Sequence, residues 1–355
     1  MRFEQNFIFW IFWIAVLLVF AGLLFLLHHI LLPFVVGAAL AYLLDPLANR
    51  LTKRGLNRIV AALLMLGAFV IVFVALVLLI APVLVDQLSA FISNIPAYVQ
   101  RLQSLLTDPS HPWLQGLFGN TAGGGQFVGT LMTKFMDYLT GVLPSLWTKG
   151  EAIVSVISLL VITPVVAFYL LCDWNRVVSA FDELIPRRQR DTVRGVAREI
   201  DRVLSSYLHG QILVCGILGA YYAIGLTVAG LSFAVLIGAV SGLLTFIPYV
   251  GSVTALVAAS GVALAQFYPD WTRILIVVGI VLVGQFLEGN VLGPKLVGES
   301  VGLHPLWLIF ALLAFSYLFG FVGLLLAVPL AAAAGVLTRF ALQRYRASPV
   351  YTGKR

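Results

Sequence analysis

The sequence is short of charge. Asp, Glu, Lys and Arg make up 10% of its 355 residues, whereas 61% are hydrophobic. A soluble domain needs more charge to cover its surface, so this composition excludes an ordinary water-soluble fold. The only cysteines, Cys172 and Cys215, exclude a disulfide framework and a cysteine-rich metal site. The net charge of +7 suits a nucleic-acid binder, but the basic residues lie between apolar segments without a nucleic-acid fold signature, so no such partner is expected.

Signatures of enzymes and of ATP-driven pumps are also missing. The chain contains no phosphate-binding loop, so it does not itself hydrolyse ATP, and no cofactor is expected. It lacks the paired aspartates, the His-Glu-x-x-His helix and the serine dyad of intramembrane proteases. Residues 298–302 match the nucleophile-elbow pattern, but membrane-type segments flank them and no acidic residue follows Glu299. We therefore predict that the protein is not an enzyme.

Apolar segments of membrane-crossing length are abundant. A helix needs about 20 apolar residues to cross the hydrocarbon core. The predicted spans are residues 7–27, 30–44, 59–81, 152–171, 211–229, 274–287, 306–319 and 321–340. Two shorter arms, joined by Pro248 to Gly251, predict a re-entrant hairpin over residues 233–267, with two further crossings as the alternative. The predicted fold is therefore an all-α polytopic membrane protein with about eight spans plus this hairpin.

The distribution of basic residues predicts how the chain is oriented. All but four of the 22 Lys and Arg residues lie on one side of the predicted spans, the exceptions being Arg101, Lys134, Lys149 and Arg273. By the positive-inside rule, both termini are cytoplasmic. The predicted regions are spans one to three (1–82), an extracytoplasmic helical region (83–150), span four (151–172), a cytoplasmic amphipathic helix (173–210), spans five to eight with the hairpin (211–343) and a cytoplasmic tail (344–355).

Helical patterns continue outside the predicted spans. Apolar residues recur at alternating spacings of four and three from Leu84 to Leu105 and again from Val128 to Leu146, with a loop at 107–126 between them. This predicts an extramembrane helical hairpin whose stripes bury each other or meet copies in an oligomer. The first is favoured because Pro96 interrupts a long regular coil. The amphipathic stripe of residues 193–207 predicts a helix that lies on headgroups or packs under the bundle.

A carboxylate, Glu288, closes the apolar segment 274–287. Gln285 precedes it on the same helical face, and Asn290 follows one residue after Gly289. Polar groups converging at a broken helix are typical of the solute and ion sites of secondary transporters. The alternative is that Glu288 only anchors a helix end at the interface, paired with Lys295.

A second broken element accompanies this one. Pro248 and Gly251 at the hairpin turn leave free backbone groups, so the predicted translocation pathway consists of Glu288, Gln285, Asn290, Pro248, Gly251 and Pro294. The predicted structural breaks are Pro33, Pro164, Gly289 and Gly293. The predicted partners are the lipid bilayer and a small polar solute, a monovalent cation or a proton. Gly238 and Gly242 form a small-xxx-small pair that predicts close helix packing.

Several longer motifs occur in a fixed order between residues 30 and 330. They are Pro33-Phe34, Ala41-Tyr-Leu-Leu-Asp-Pro-Leu47, Thr163-Pro164, Phe168-Tyr-Leu-Leu-Cys-Asp173, Phe246-Ile-Pro-Tyr-Val-Gly251, Leu287-Glu-Gly-Asn-Val-Leu-Gly-Pro294, Gly302-Leu-His-Pro-Leu306, and Gly323 with Ala327-Val-Pro-Leu330. Together they resemble the AI-2E family of bacterial inner-membrane proteins, also called PerM-like permeases. The last two motifs and their spacing are the most specific.

The resemblance implies a function and an assembly. It implies export of the quorum-sensing signal autoinducer-2, a small polar furanone-derived sugar, or of a related solute. Some relatives are described instead as sodium(lithium)/proton antiporters. A non-transporting scaffold whose extramembrane helices recruit partners is a further alternative. The family also implies a homo-oligomer, with a pentamer as the expected size, in the bacterial inner membrane.

Overall fold

A computed structural model describes residues 22, 26–27, 30–107, 134, 150–187, 190–297 and 304–352. No β-strand occurs in this described part, and seven of its helices are long and apolar enough to cross a membrane. The predicted class, an all-α polytopic membrane protein, is confirmed. The predicted first span, the loop at 107–126, the second extramembrane helix and the elbow-like motif lie outside the described residues, apart from isolated positions.

The regular elements follow one another along the chain as helices. They are α1 Leu31–Lys53, α2 Arg58–Thr107, α3 Gly150–Glu183, α4 Arg190–Val228, α5 Ala234–Leu244, α6 Val250–Phe267, α7 Trp271–Leu287, a π-helix Glu288–Val297, α8 Pro305–Arg346 and α9 Pro349–Thr352.

Two predicted pairs of elements are single continuous helices. The third span and the first extramembrane helix form α2, and the amphipathic helix and the fifth span form α4. Helix α2 continues through both Pro82 and Pro96. Each proline removes one backbone hydrogen bond, but the neighbouring turns keep theirs. Polarity changes along both helices without ending them, because a helix satisfies its backbone groups in lipid and in water alike.

The chain divides into two compact units, of which the first contains Met1–Ala68, Ile157–His209 and Gly298–Arg355. Small and apolar side chains of α1, α2 and α3 form one core there, including Ala41, Ala62 and Ala167. A polar network closes this core, because Arg58 Nε donates to the carbonyl oxygen of Leu171 at 2.7 Å and Arg58 Nη2 lies 2.5 Å from Asp45 Oδ1.

Helix α8 reverses direction within the first unit. Its backbone leaves helical geometry at Gly320, with φ 58° and ψ −138°. Residues 315 and 323 would be about 12 Å apart along a straight helix. A Cβ added at Gly323 would instead overlap the carbonyl oxygen of Phe315. The two predicted spans 306–319 and 321–340 are therefore the two arms of a helical hairpin.

The amphipathic part of α4 packs against the second arm of α8. Val203 is buried with Ala332 and Val336, and Val196 and Ile200 pack against them. The predicted apolar stripe is therefore covered by protein at these positions.

The second unit contains Phe69–Val156 and Gly210–Val297. Its core combines the membrane part of α4 with α5, α6 and α7, and includes Leu218, Tyr222, Ala259 and Val277. Glycines bring α5 directly onto α4, because a Cβ added at Gly242 would lie 2.4 Å from the Cα of Gly219. The Gly238 and Gly242 pair thus packs closely, as predicted.

Helix α2 contributes little to these cores over its apolar length. Only 6% of its most apolar window is buried, and Ile71, Leu78 and Leu79 are each at least 69% exposed. Further along α2, Phe91 and Tyr98 pack edge-on against Phe233, with ring centroids 5.3 and 6.2 Å apart. This part of the extramembrane stripe is therefore covered within its own unit.

Candidate functional site

The hairpin formed by α5 and α6 has a tightly packed turn. Tyr249 has a left-handed φ of 69°, and α6 begins at the next residue. Only glycine fits at position 251, because a Cβ there would lie 2.2 Å from Thr245 Oγ1. With 11 residues, α5 is about 16 Å long, roughly half the thickness of the hydrocarbon core. Helix α5 is too short to cross alone, whereas α6, with 18 residues, is long enough to cross.

Buried polar groups connect this turn to α4. The Gln211 amide donates to the carbonyl oxygen of Thr245 at 2.5 Å, and the Thr245 hydroxyl donates to the carbonyl oxygen of Ser241 at 2.8 Å. Ser241 and Thr245 are 0% and 1% exposed. The bond from Gln211 satisfies the Thr245 carbonyl at the end of α5, whereas the Ser241 carbonyl also accepts from the Thr245 N–H at 2.9 Å. The sequence analysis missed Gln211, although an amide inside an apolar segment is a usable signal.

The end of α7 meets the same hairpin. Gln285 donates from Nε2 to the carbonyl oxygen of Ser252 at 3.3 Å, directly after the hairpin turn. Two of the predicted pathway elements, Gln285 and the turn from Pro248 to Gly251, are therefore neighbours in space.

Glu288 occupies the junction between α7 and the π-helix. It is half-buried and makes no hydrogen bond or ion pair with any residue that the structure describes. The alternative pairing with Lys295 does not form, since Lys295 is exposed and makes no such contact within the described ranges. Its carboxylate therefore has no fixed partner among the described residues.

The predicted break after Glu288 takes the form of a π-helix. Residues 288–297 adopt this rare geometry, in which each carbonyl accepts from the fifth residue along the chain. Because Pro294 has no N–H, the carbonyl of Gly289 lacks that donor. Gly293 packs closely against the preceding turn, since a Cβ there would be 2.9 Å from the carbonyl oxygen of Glu288. The Gly289 carbonyl, directly after the carboxylate, is therefore the acceptor that loses its helical partner.

The remaining predicted residues are placed differently. Asn290 is exposed, and its amide donates to the carbonyl oxygen of Phe286 on its own helix at 3.2 Å. Pro33 and Pro164 belong to the first unit, where the Thr163 hydroxyl donates to the carbonyl oxygen of Pro33 at 3.3 Å. Neither proline ends a helix, because Pro33 lies in the first turn of α1 and α3 continues through Pro164.

Tyr222 is a residue of this region that the sequence analysis missed. Its side chain is fully buried, and its hydroxyl has no hydrogen-bond partner in the part of the chain that the structure covers. The ring packs on Gly284, where an added Cβ would lie 2.4 Å from Tyr222 Cε1. A tyrosine in an apolar segment gives no signal of such a role, because it is equally typical of an ordinary core position.

A separate cavity of about 860 Å³ lies in the first unit between the end of α3 and the start of α4. Trp174, Arg194 and Asp201 are among its lining residues. Asp182 binds Arg190 and Arg194 at 2.6 and 2.7 Å, so two of the four charged residues at the cavity wall, Asp182 and Arg194, are already paired. Among the described residues, no cluster of three or more His, Cys, Asp or Glu side chains is arranged to hold a metal ion.

The chain has relatives among known proteins over most of its length. The sequence model of the family described as AI-2E family transporter matches residues 8–343. YueF of Bacillus subtilis (strain 168), named as a transport protein, is 26% identical over 313 residues, covering 88% of this chain and 84% of YueF. PerM of Escherichia coli (strain K12), named as a permease, is 28% identical over 312 residues, which cover 87% of each chain.

Proposed function

We propose, because the chain belongs to the AI-2E family of transporters, that it is a secondary transporter that exports a small polar solute across the bacterial inner membrane. The solute we favour is autoinducer-2 or a related hydroxylated furanone. Both termini lie in the cytoplasm in this proposal, and the working protein is a homo-oligomer, with a pentamer as the expected size. The protein carries out no chemical reaction on its cargo.

The observation that carries the proposal is the state of Glu288. Burying part of a carboxylate without a hydrogen bond or a counter-ion is costly, so such a group in a membrane protein marks a pathway for solutes or ions. Glu288 stands in this state within the described structure. It follows Gln285, which binds the residue after the hairpin turn, and it precedes the Gly289 carbonyl, which lacks its π-helical donor. A hydroxylated solute can donate to each of these oxygens.

The proposed pathway keeps Glu288, Gln285, Pro248, Gly251 and Pro294 as its residues. Asn290 is kept in the proposal as an exposed residue of the same segment. Its amide donates to the Phe286 carbonyl of its own helix. Opening of the pathway would exchange the bond between Gln285 and Ser252 for bonds to the solute.

The test is transport by the purified protein in proteoliposomes. Export of a radiolabelled hydroxyfuranone and of sodium is measured side by side for the wild type, Glu288→Ala and Glu183→Ala. Glu183 is the matched control, because it is an exposed glutamate at the end of α3. We expect furanone flux to fall at least tenfold in Glu288→Ala and to persist in Glu183→Ala. Absence of flux for every solute in the wild type would favour the scaffold alternative.

Sodium(lithium)/proton antiport is the second candidate, and the lack of a fixed partner for Glu288 also favours it. A carboxylate that is free to bind either a proton or a cation can exchange one for the other. Glu288→Gln separates the two functions, because the amide keeps hydrogen bonding but cannot ionise. Antiport should disappear in this variant, whereas export of a neutral solute should survive it.

A further inference from the structure

Two polar groups without a partner among the described residues lie on one stretch of the contact between α4 and α7. The first is the hydroxyl of Tyr222, on a side chain that is 0% exposed. A Cβ added at Gly284 would lie 2.6 Å from this hydroxyl oxygen. The hydroxyl therefore reaches the surface of α7 at the level of Gly284, and the missing side chain of that glycine provides its space.

The second group is the carboxylate of Glu288. Residues four apart lie on the same face of a helix, so Glu288 follows Gly284 on the face that meets α4. Side chains on a helix lean towards its N-terminus, and the carboxylate therefore leans towards the turn that holds Gly284.

The chemistry of the two groups specifies what can bind between them. A phenol hydroxyl can donate one hydrogen bond, whereas a carboxylate only accepts. A hydroxyl group can accept from the phenol and donate to the carboxylate at the same time, which neither a carbonyl nor an ammonium group can do. Because buried polar groups without partners are costly, this arrangement favours an occupied state.

We propose that Tyr222 and Glu288 together bind a hydroxyl group during transport, supplied by the solute itself or by a water molecule in the pathway. The inference rests on the proposed export function and adds a specificity-determining residue to it. It also explains why position 284 is a glycine, since any side chain there would displace the Tyr222 hydroxyl.

A purely structural role for Tyr222 makes different predictions, and the neighbouring tyrosine provides the control. The Tyr221 hydroxyl donates to the carbonyl oxygen of Ile280 at 3.0 Å and so has a structural bond to lose. Tyr222→Phe keeps the packed ring and removes no hydrogen bond seen in the described structure. We therefore expect Tyr222→Phe to be at least as stable as the wild type, and Tyr221→Phe to be less stable.

Transport should show the opposite order. In proteoliposomes, Tyr222→Phe should export a hydroxyfuranone roughly tenfold more slowly than the wild type, the loss expected for one hydrogen bond. Tyr221→Phe should export it at nearly the wild-type rate. Gly284→Ala, which keeps the Tyr222 hydroxyl on the molecule but displaces it from its position, is the second variant and should give a similar loss.

The O-methyl ether of the same furanone identifies the source of the hydroxyl, because an ether accepts but cannot donate. If the solute supplies the hydroxyl, the wild type exports the ether more slowly than the furanone, because the ether cannot donate to Glu288. If water supplies it, Tyr222→Phe slows both compounds by the same factor.

Undiminished export of both compounds by Tyr222→Phe and Gly284→Ala would overturn the inference. If Glu288→Ala abolished export in that same series, the proposed function would stand without it. A wild type that moves neither compound would remove both.

Discussion

A single methyl group added at Gly242 tests how closely α5 packs on α4. The Cβ of Gly242→Ala would lie 2.4 Å from Gly219 Cα, 2.8 Å from Gly219 N and 3.0 Å from the carbonyl oxygen of Cys215. All three atoms are backbone atoms, so no flexible side chain can move aside. Reaching an ordinary contact distance of 3.4 Å requires the helices to separate by about 1 Å. Overpacking of this kind costs about 1–3 kcal/mol.

The matched control removes the effect of helix propensity. Replacing a helical glycine by alanine stabilises a helix by about 1 kcal/mol wherever there is space. Gly216 lies on α4 one turn before Gly219, and an added Cβ there meets no atom within 4 Å. Because both variants gain the same propensity, the difference in their free energies of unfolding isolates the clash. We expect Gly242→Ala to be less stable than Gly216→Ala by about 1–3 kcal/mol.

The measurement is unfolding in mixed micelles with increasing SDS, followed by tryptophan fluorescence. Gly219→Ala gives a further check from the opposite side of the contact. Its added Cβ would lie 3.5 Å from the carbonyl oxygen of Gly238, an ordinary contact, so it should behave like Gly216→Ala. Equal stabilities for Gly242→Ala and Gly216→Ala would show that the close approach of α5 and α4 is wrong.

Two further predictions concern the strength of two ion pairs and the backbone strain at one glycine. Arg58→Ala should lower the free energy of unfolding by about 2–3 kcal/mol, because it leaves Asp45, whose side chain is 16% exposed, without its cation. Arg273→Ala breaks the ion pair with Asp270, in which the two side chains are 62% and 47% exposed, and should cost less than about 1 kcal/mol. Similar losses of stability in Arg58→Ala and Arg273→Ala would refute the distinction between a mostly buried and an exposed ion pair. Gly320→Ala should cost about 1–3 kcal/mol through backbone strain alone, because no atom lies within 4 Å of its added Cβ. Gly261→Ala, in a helical and equally open position, should not destabilise, and thermal unfolding in detergent compares the two.

The fold class could be predicted because lipid imposes one strong rule. Every backbone group in the hydrocarbon must be satisfied within the chain, so long apolar segments with few charges are helices. The same reasoning could not find where helices join. The polarity change near Pro82 resembles an end of a helix, yet α2 continues to Thr107. Composition reports the surroundings of a segment, whereas the end of a helix depends on capping and on what packs there.

The candidate site was predictable in part. An acid at the end of an apolar segment is rare enough to be noticed, and Glu288 and Gln285 were found in this way. Tyr222 was not, because its role depends on its contact with Gly284, more than sixty positions away in the sequence. The bond from Gln211 to Thr245 is likewise a tertiary contact. A sequence pattern shows which residues share a face of one helix, but not which face of another helix they meet.

The apolar part of α2 is mostly exposed, so the surroundings of the protein help to stabilise its fold. Side chains such as Ile71 and Leu79 gain nothing from the protein's own interior. Acyl chains, or the apolar wall of another polypeptide, must take the place of a core along this helix. Acyl-chain length and detergent choice should therefore influence how firmly α2 is held, even where no residue of the transport site is altered.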